Sequence, residues 1–140
     1  MKDRKYFLDT NILVYAHDSS VSKKQAVCQA LLCDGIEKNL AVISTQVLSE
    51  FVVTVTKKIS PPMTFEVLRE ELELLEILNI QSITSLHVHT ALEIQRDNMT
   101  SYWDALIVAA AGIAQCSILY SEDLNHGQKI AGVEICNPFI

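Results

Sequence analysis

Residues 6–11 read Tyr-Phe-Leu-Asp-Thr-Asn. Three large apolar side chains in a row fit a short strand buried on both faces. The run ends on an acid, Asp9, and Thr10 or Asn11 can cap a helix through about His17. A strand that leads at once into a helix is the building unit of a parallel sheet covered by helices. A carboxylate beside that much buried surface is costly unless something pairs with it.

The same alternation repeats outward from this unit. Ser22 with Gln25 has capping-box spacing and predicts a helix that buries Val27, Leu31, Leu32 and Ile36. Residues 41–43 predict a second strand. Ser44-Thr45 then starts a helix to about Lys57, with Val47, Leu48, Phe51 and Val55 on its inner face. Pro61-Pro62 separates two elements. Phe65, Leu68, Leu72 and Leu75, spaced by three and four, predict an amphipathic helix over about 64–78. A short strand at 81–83, a helix from Ser85 to about Arg96 and an apolar helix from Ser101 to about Gln115 follow. Residues 117–120 predict a strand and 121–127 a loop turning at Gly127. Residues 133–136 predict the last strand. Near-continuous apolar strands between helices imply an α/β fold whose parallel sheet is covered on both faces.

Length fits one domain over residues 1–140, and 49% apolar residues suffice for one core. The longest charge-free apolar stretch, 105–114, is half of the roughly 20 residues a membrane span needs. The first residues carry acids and no apolar leader core, so no signal peptide is expected. Cys28, Cys33, Cys116 and Cys136 show no C-x-x-C spacing. Reduced, mostly buried thiols and a cytoplasmic location are the expectation. The net charge of −6 argues against binding nucleic acid by bulk attraction. Lys2, Arg4, Lys5, Lys23, Lys24, Lys57 and Lys58 offer only local positive patches.

Four acids stand out: Asp9, Glu50, Asp104 and Asp123. Asp9 and Asp123 fall just past predicted strand ends, where ligands bind in such sheets. Glu50 and Asp104 are placed in first turns of helices and lean back toward the same rim. Without these four the net charge would be −2. Two carboxylates about 4 Å apart repel by roughly 4 kcal/mol at an effective dielectric of 20. A hard divalent cation such as Mg²⁺ or Mn²⁺ relieves this. Such an ion polarises a phosphodiester, activates water and stabilises the leaving oxygen, and two ions share those tasks. No zinc-like His/Cys spacing is present.

Simpler roles exist for each residue. Asp104 follows Ser101 by three and fits a capping box. Asp9 fits a turn acid, Glu50 an exposed helix residue and Asp123 a loop acid. Tyr102 and Trp103 fit packing better than base stacking, and the four histidines fit surface or polar contacts, with His126 closest to the acids. The glutamates of 66–76 read as a solvated helix face.

Together the strings F-L-D-T-N (7–11), S-T-Q-V-L-S-E-F (44–51), S-Y-W-D-A-L-I-V-A-A-A (101–111) and Y-S-E-D-L-N-H-G (120–127) resemble the PIN-domain ribonucleases, above all the VapC-type toxins of bacterial toxin–antitoxin pairs. Each string is weak alone; four in the right order are specific. The resemblance runs over about residues 6–139. It implies a three-layer α/β/α sandwich with a mostly parallel sheet, Mg²⁺- or Mn²⁺-dependent endoribonuclease activity, frequent homodimers and a cognate antitoxin that blocks the cleft. By position it makes Asp9, Glu50, Asp104 and Asp123 the acidic site, with Asp9 and Asp104 the main metal ligands. Thr10 and Asn11 would support Asp9, and Ser121 stands beside the last acid. Glu122 is the alternative to Asp123. Two rivals remain: a PIN-like module that binds RNA or protein without catalysis, and a phosphatase with an Asp nucleophile. The latter usually needs D-x-D, and Asn11 stands where the second acid belongs.

Overall fold

The computed structural model describes residues 4–140, so Lys2 lies outside the described residues. Strand β1 (Tyr6–Leu8) runs into helix α1 (Thr10–Ala16) through Asp9 alone. A 3-10 turn (Ser19–Val21) leads to α2 (Ser22–Lys38). Then come β2 (Ala41–Ser44), α3 (Thr45–Lys57), α4 (Phe65–Leu75), β3 (Asn79–Gln81), α5 (Ser85–Asn98) and α6 (Tyr102–Ile113). The chain closes with β4 (Ile118–Tyr120), β5 (Lys129–Ile130) and β6 (Val133–Cys136).

The strands form one sheet in the order β3-β2-β1-β4-β6-β5. β1 is central, with Tyr6 opposite Ala41 of β2 and Leu8 opposite Tyr120 of β4, both parallel. Only β5 runs antiparallel to its neighbour. From β1 the chain steps outward through β2 to β3, then returns to the other side of β1 for β4 and β6. Right-handed crossovers therefore put α1–α4 on one face and α5 and α6 on the other, giving the α/β/α sandwich. The order reverses at β1, so a crevice opens beyond its carboxyl end.

The fold follows from where apolar side chains are continuous. Phe7, Leu8, Ile43, Leu119 and Ile135 of the sheet are fully buried. They meet Ile12 and Leu13 of α1, Val47, Phe51 and Val55 of α3, and Val108 of α6. α6 is buried at every residue from Ala105 to Ala111, which accounts for the most apolar stretch of the chain.

Several local expectations change. The third strand lies at Asn79–Gln81, because Asn79 pairs with Val42 and donates from its side chain to Ala41 O at 3.2 Å. The predicted strand residue Ile83 instead donates its N–H to Thr45 Oγ1 at 3.1 Å. β5 was not expected. It forms a two-residue hairpin with β6, and Ala131 and Gly132 both have positive φ (50° and 83°), as a type I′ turn requires. The Ser22–Gln25 capping box does not form; α2 starts on Val21 without a side-chain cap. Asp18 caps the preceding 3-10 turn instead. α2 buries Cys28 and Gly35, with Leu31 and Leu32 half-buried between them, while Val27 and Ile36 flank this stripe and are exposed. Phe65 is 68% exposed because it opens α4 ahead of the packed residues Leu68 and Leu75. The four cysteines are free, and only Cys33 is exposed. Among the described residues no helix is long and apolar enough to cross a membrane.

Gly35 is where α2 approaches β2 most closely. A Cβ there would overlap the Ala41 side chain and reach within 2.9 Å of the Tyr6 hydroxyl. Ala in a helix interior normally gains up to about 1 kcal/mol over Gly. Here the overlap with a strand side chain reverses the sign. Gly35→Ala is expected to lower unfolding stability by about 1–3 kcal/mol in urea titration; an unchanged or raised midpoint would show that α2 shifts freely.

Candidate active site

Asp9 is fixed from three sides. Its N–H donates to Tyr120 O at 3.0 Å, which ties the end of β1 to β4. Its Oδ1 accepts from Thr10 N–H and its Oδ2 from the Ser121 hydroxyl, both at 2.7 Å. Asp9 is therefore the cap of α1 as well as an acid. Ser121 is fully buried and bridges two acids, since its oxygen also accepts the N–H of Asp123 at 3.2 Å.

The next two residues each hold a further acid. The Thr10 hydroxyl donates to Glu50 Oε1 at 2.7 Å. Asn11 Nδ2 donates to Asp123 Oδ2 at 3.0 Å. Thr10 supports Asp9 through its backbone N–H, while its hydroxyl and the Asn11 amide reach the other two acids. Glu50 sits in the second turn of α3, where the first turn holds no acid. Thr10 draws it to the rim from there. Asp104 lies in the first turn of α6, and its N–H donates to Ser101 Oγ at 3.1 Å. Among the described residues its carboxylate accepts no hydrogen bond, so half of the capping box is absent.

Asp9, Glu50, Asp104 and Asp123 all line one open cleft of about 930 Å³ at the carboxyl edge of the sheet. Glu122 points away: it accepts from the Tyr15 hydroxyl at 3.0 Å and from Lys24 Nζ at 2.8 Å. Of the two adjacent acids, Asp123 is the one on the cleft. Asp18, a fifth acid, also lines it and was not singled out from the sequence. Among the described residues Lys58 is the only basic one on the lining. Lys24 is paired with Glu122, and Lys5 lies at the opposite, amino end of β1. His126 is not on the lining and accepts Asn137 N–H through Nδ1. His87 is buried, 2% exposed, in the cap of α5.

Gln46 was also missed. It is buried on α3, one turn before Glu50, and its Nε2 donates to Trp103 O at 3.1 Å. That bond fixes which end of the amide faces Trp103, because a carbonyl accepts and cannot donate. Gln46 Oε1 is then left buried without a partner, and so is Asn11 Oδ1. No periodicity rule distinguishes a buried Gln from an exposed one on a helix that is half buried.

The electrostatics follow from crowding. The Asp9 carboxyl is pushed up to about 6, chiefly by burial; bonds from Ser121 and Thr10 oppose this, and Asp123 and Glu50 add to it. The donor set is oxygen only, carboxylates plus two unpaired amide oxygens, and suits a hard divalent ion. Among the described residues no three acids, imidazoles or thiols are gathered tightly enough to chelate an ion by themselves. An ion here would take one or two carboxylates and complete its shell with water or phosphate oxygens, the coordination Mg²⁺ favours.

The PIN-domain family profile matches residues 6–130. The chain belongs to the PIN-domain family. Among curated proteins none matches by sequence. Solved PIN-like structures do match the fold. A toxin–antitoxin complex from Klebsiella pneumoniae has a TM-score of 0.70 at 18% identity, covering 96% of this chain and 98% of that one. DNA-bound VapBC from Salmonella typhimurium has 0.68 at 17% identity, covering 95% and 97%. VapC20 of Mycobacterium tuberculosis, a toxin that cleaves the sarcin–ricin loop, has 0.68 at 16% identity, covering 85% and 90%.

The raised Asp9 value sets a direction for stability. The folded protein holds this proton more tightly than the unfolded chain. The contribution is present below about pH 4 and is lost as pH rises through about 6. In EDTA, the unfolding free energy of wild type relative to Asp9→Asn, which cannot titrate there, is expected to fall by up to about 3 kcal/mol between pH 4 and pH 7. A difference independent of pH would mean that Asp9 is not perturbed.

Proposed function

We propose that this protein is a divalent-metal-dependent endoribonuclease and the toxin of a toxin–antitoxin pair. RNA is its substrate, Mg²⁺ or Mn²⁺ its ion, a small antitoxin its protein partner and a homodimer its assembly. The observation that carries this reading is the convergence of Asp9, Glu50, Asp104 and Asp123 on one cleft of a PIN-family fold. The likeness to VapBC assemblies and to VapC20 supports the substrate and partner. Residues 1–140 then act as one catalytic domain, in the cytoplasm.

In this reading Asp9 and Asp104 hold the ion. Asp9 is rigidly placed, and the Asp104 oxygens are free to ligate. Glu50 and Asp123, held by Thr10 and Asn11, orient water and complete the negative rim. The bound ion would polarise the scissile phosphodiester and activate water. The attacking group is water, so no side-chain nucleophile is needed. Ser121 holds the Asp9 carboxylate in place through its hydroxyl. Lys58, the one basic group on the cleft among the described residues, faces the incoming phosphates.

Three measurements test this reading together. Cleavage of a mixed RNA pool should require Mg²⁺ or Mn²⁺ and stop in EDTA. Asp104→Asn should lose at least about a hundredfold in rate while keeping the wild-type circular dichroism, since losing even an outer-sphere partner costs 10–100-fold. Saturating Mg²⁺ should raise the Tm of wild type by several degrees and that of Asp9→Asn by much less. RNA that is bound but never cut would favour the non-catalytic module. Full activity in Asp104→Asn would remove that residue from the site.

A further inference from the structure

We propose that Trp103 is the floor of a nucleotide subsite that takes an unpaired base of the substrate by stacking, with Gln46 and Tyr102 holding it in place. The inference deepens the reading above and rests on RNA being the substrate. Trp103 lies on the lining of the acidic cleft, one residue before Asp104, yet the residue is 62% exposed. An indole so exposed contributes little to the core, so packing does not account for its place. Its setting is nonetheless rigid. Its carbonyl is held by the buried Gln46 amide at 3.1 Å, and the Tyr102 ring meets it edge-on, with centroids 5.3 Å apart. A flat apolar ring fixed beside a reaction centre and open to solvent is a platform.

The charge of the cleft narrows the occupant. Among the described residues five acids and one lysine line it, and the chain carries −6 overall. A double helix presents only phosphates and stacked pairs, and would meet this surface at an electrostatic disadvantage. An unpaired base has an exposed π-face and gains from stacking regardless of its identity. The subsite therefore selects single-stranded or looped RNA over duplex. It does so by aromatic contact where a basic groove is lacking.

Trp103 is the only tryptophan of the chain, so the protein carries its own reporter. The probe is an uncleavable 2′-O-methyl oligouridylate octamer, added to the wild-type protein in EDTA. Its addition should quench the intrinsic fluorescence, whereas the same strand paired in a duplex should not. By anisotropy of the labelled octamer, Trp103→Ala should bind roughly ten- to hundredfold more weakly. Trp103→Phe should recover most of the affinity. Trp103→Leu, which keeps apolar bulk without a π-face, should not.

In cleavage of an unmodified strand with Mg²⁺, Trp103→Ala and Trp103→Leu should raise KM and leave kcat within a few fold, and Trp103→Phe should stay near wild type in both. Octamer binding that leaves the fluorescence unquenched, or a Trp103→Leu variant as tight as wild type, would overturn the subsite even if RNA is cleaved; the indole would then belong to a protein-docking surface. Quenching with no cleavage of any RNA would uphold the subsite and remove the nuclease reading. The two failures are thus separable.

Discussion

The organisation of this molecule depends on keeping like charges close together at the end of one buried strand. β1 ends among fully apolar neighbours, and Asp9 must then leave the sheet with a carboxylate that is 6% exposed. Among the described residues no basic side chain pairs with it. Its two oxygens are satisfied by a backbone N–H and a buried hydroxyl, both neutral. Neutral donors hold an anion in place without cancelling its field. The negative potential of the cleft is thereby preserved, and the Asp9 carboxyl holds its proton more tightly than usual, chiefly because it is buried, with Asp123 and Glu50 adding to the effect. A lysine in place of Ser121 would satisfy the same charge and cancel that potential.

That requirement explains which parts were legible in the sequence. The strand–acid–helix unit at 6–16 is written in adjacent residues, so periodicity and capping rules reach it. The repeated strand–helix alternation gave the sandwich for the same reason. Asp9 and Asp104 stood out because acids beside apolar runs are anomalous, whereas Glu50 and Asp123 were singled out by their places at a helix start and a strand end and by the family strings. What eluded the sequence is set by long-range partners. The buried stripe of α2 depends on how closely Gly35 can approach Ala41, a contact across the helix–sheet interface. Val27 and Ile36 have the right chemistry for the core and the wrong azimuth. The β5–β6 hairpin rests on Ala131 in a left-handed conformation, which alanine rarely signals. Gln46 looks like any polar helix residue until Trp103 O is placed against it.

Two tripeptides set the geometry of the site, one at each of two adjacent strand ends. In Asp9-Thr10-Asn11 the three residues supply an acid, a hydroxyl to Glu50 and an amide to Asp123. In Ser121-Glu122-Asp123 the first residue turns inward to Asp9 and the third turns to the cleft. The middle residue turns outward, where Tyr15 and Lys24 grip its carboxylate. Lys24 in turn sits over the rings of Tyr15 and Phe139, 4.8 and 5.2 Å from their centroids. Glu122 is thus an anchor. Its position next to Asp123 gives the loop one carboxylate in a closed, neutralised environment and one in an open, uncompensated one.

This division of labour bears on why the residues are spread so widely along the chain. Glu50 lies 40 residues from Thr10, and Asp123 lies 112 from Asn11. A single loop carrying all the acids would be free to splay apart and relieve its own repulsion. Acids delivered by different elements cannot do so, because moving one means moving a helix or strand whose other side is core. α3 is pinned by Val47, Phe51 and Val55, α6 by seven consecutive buried residues, and β1 and β4 by their shared ladder. The apolar packing therefore opposes the repulsion, and an ion that neutralises the acids relaxes a load the core already carries. On this argument the fold and the chemistry are one design: the sandwich exists with enough core to hold its charges together.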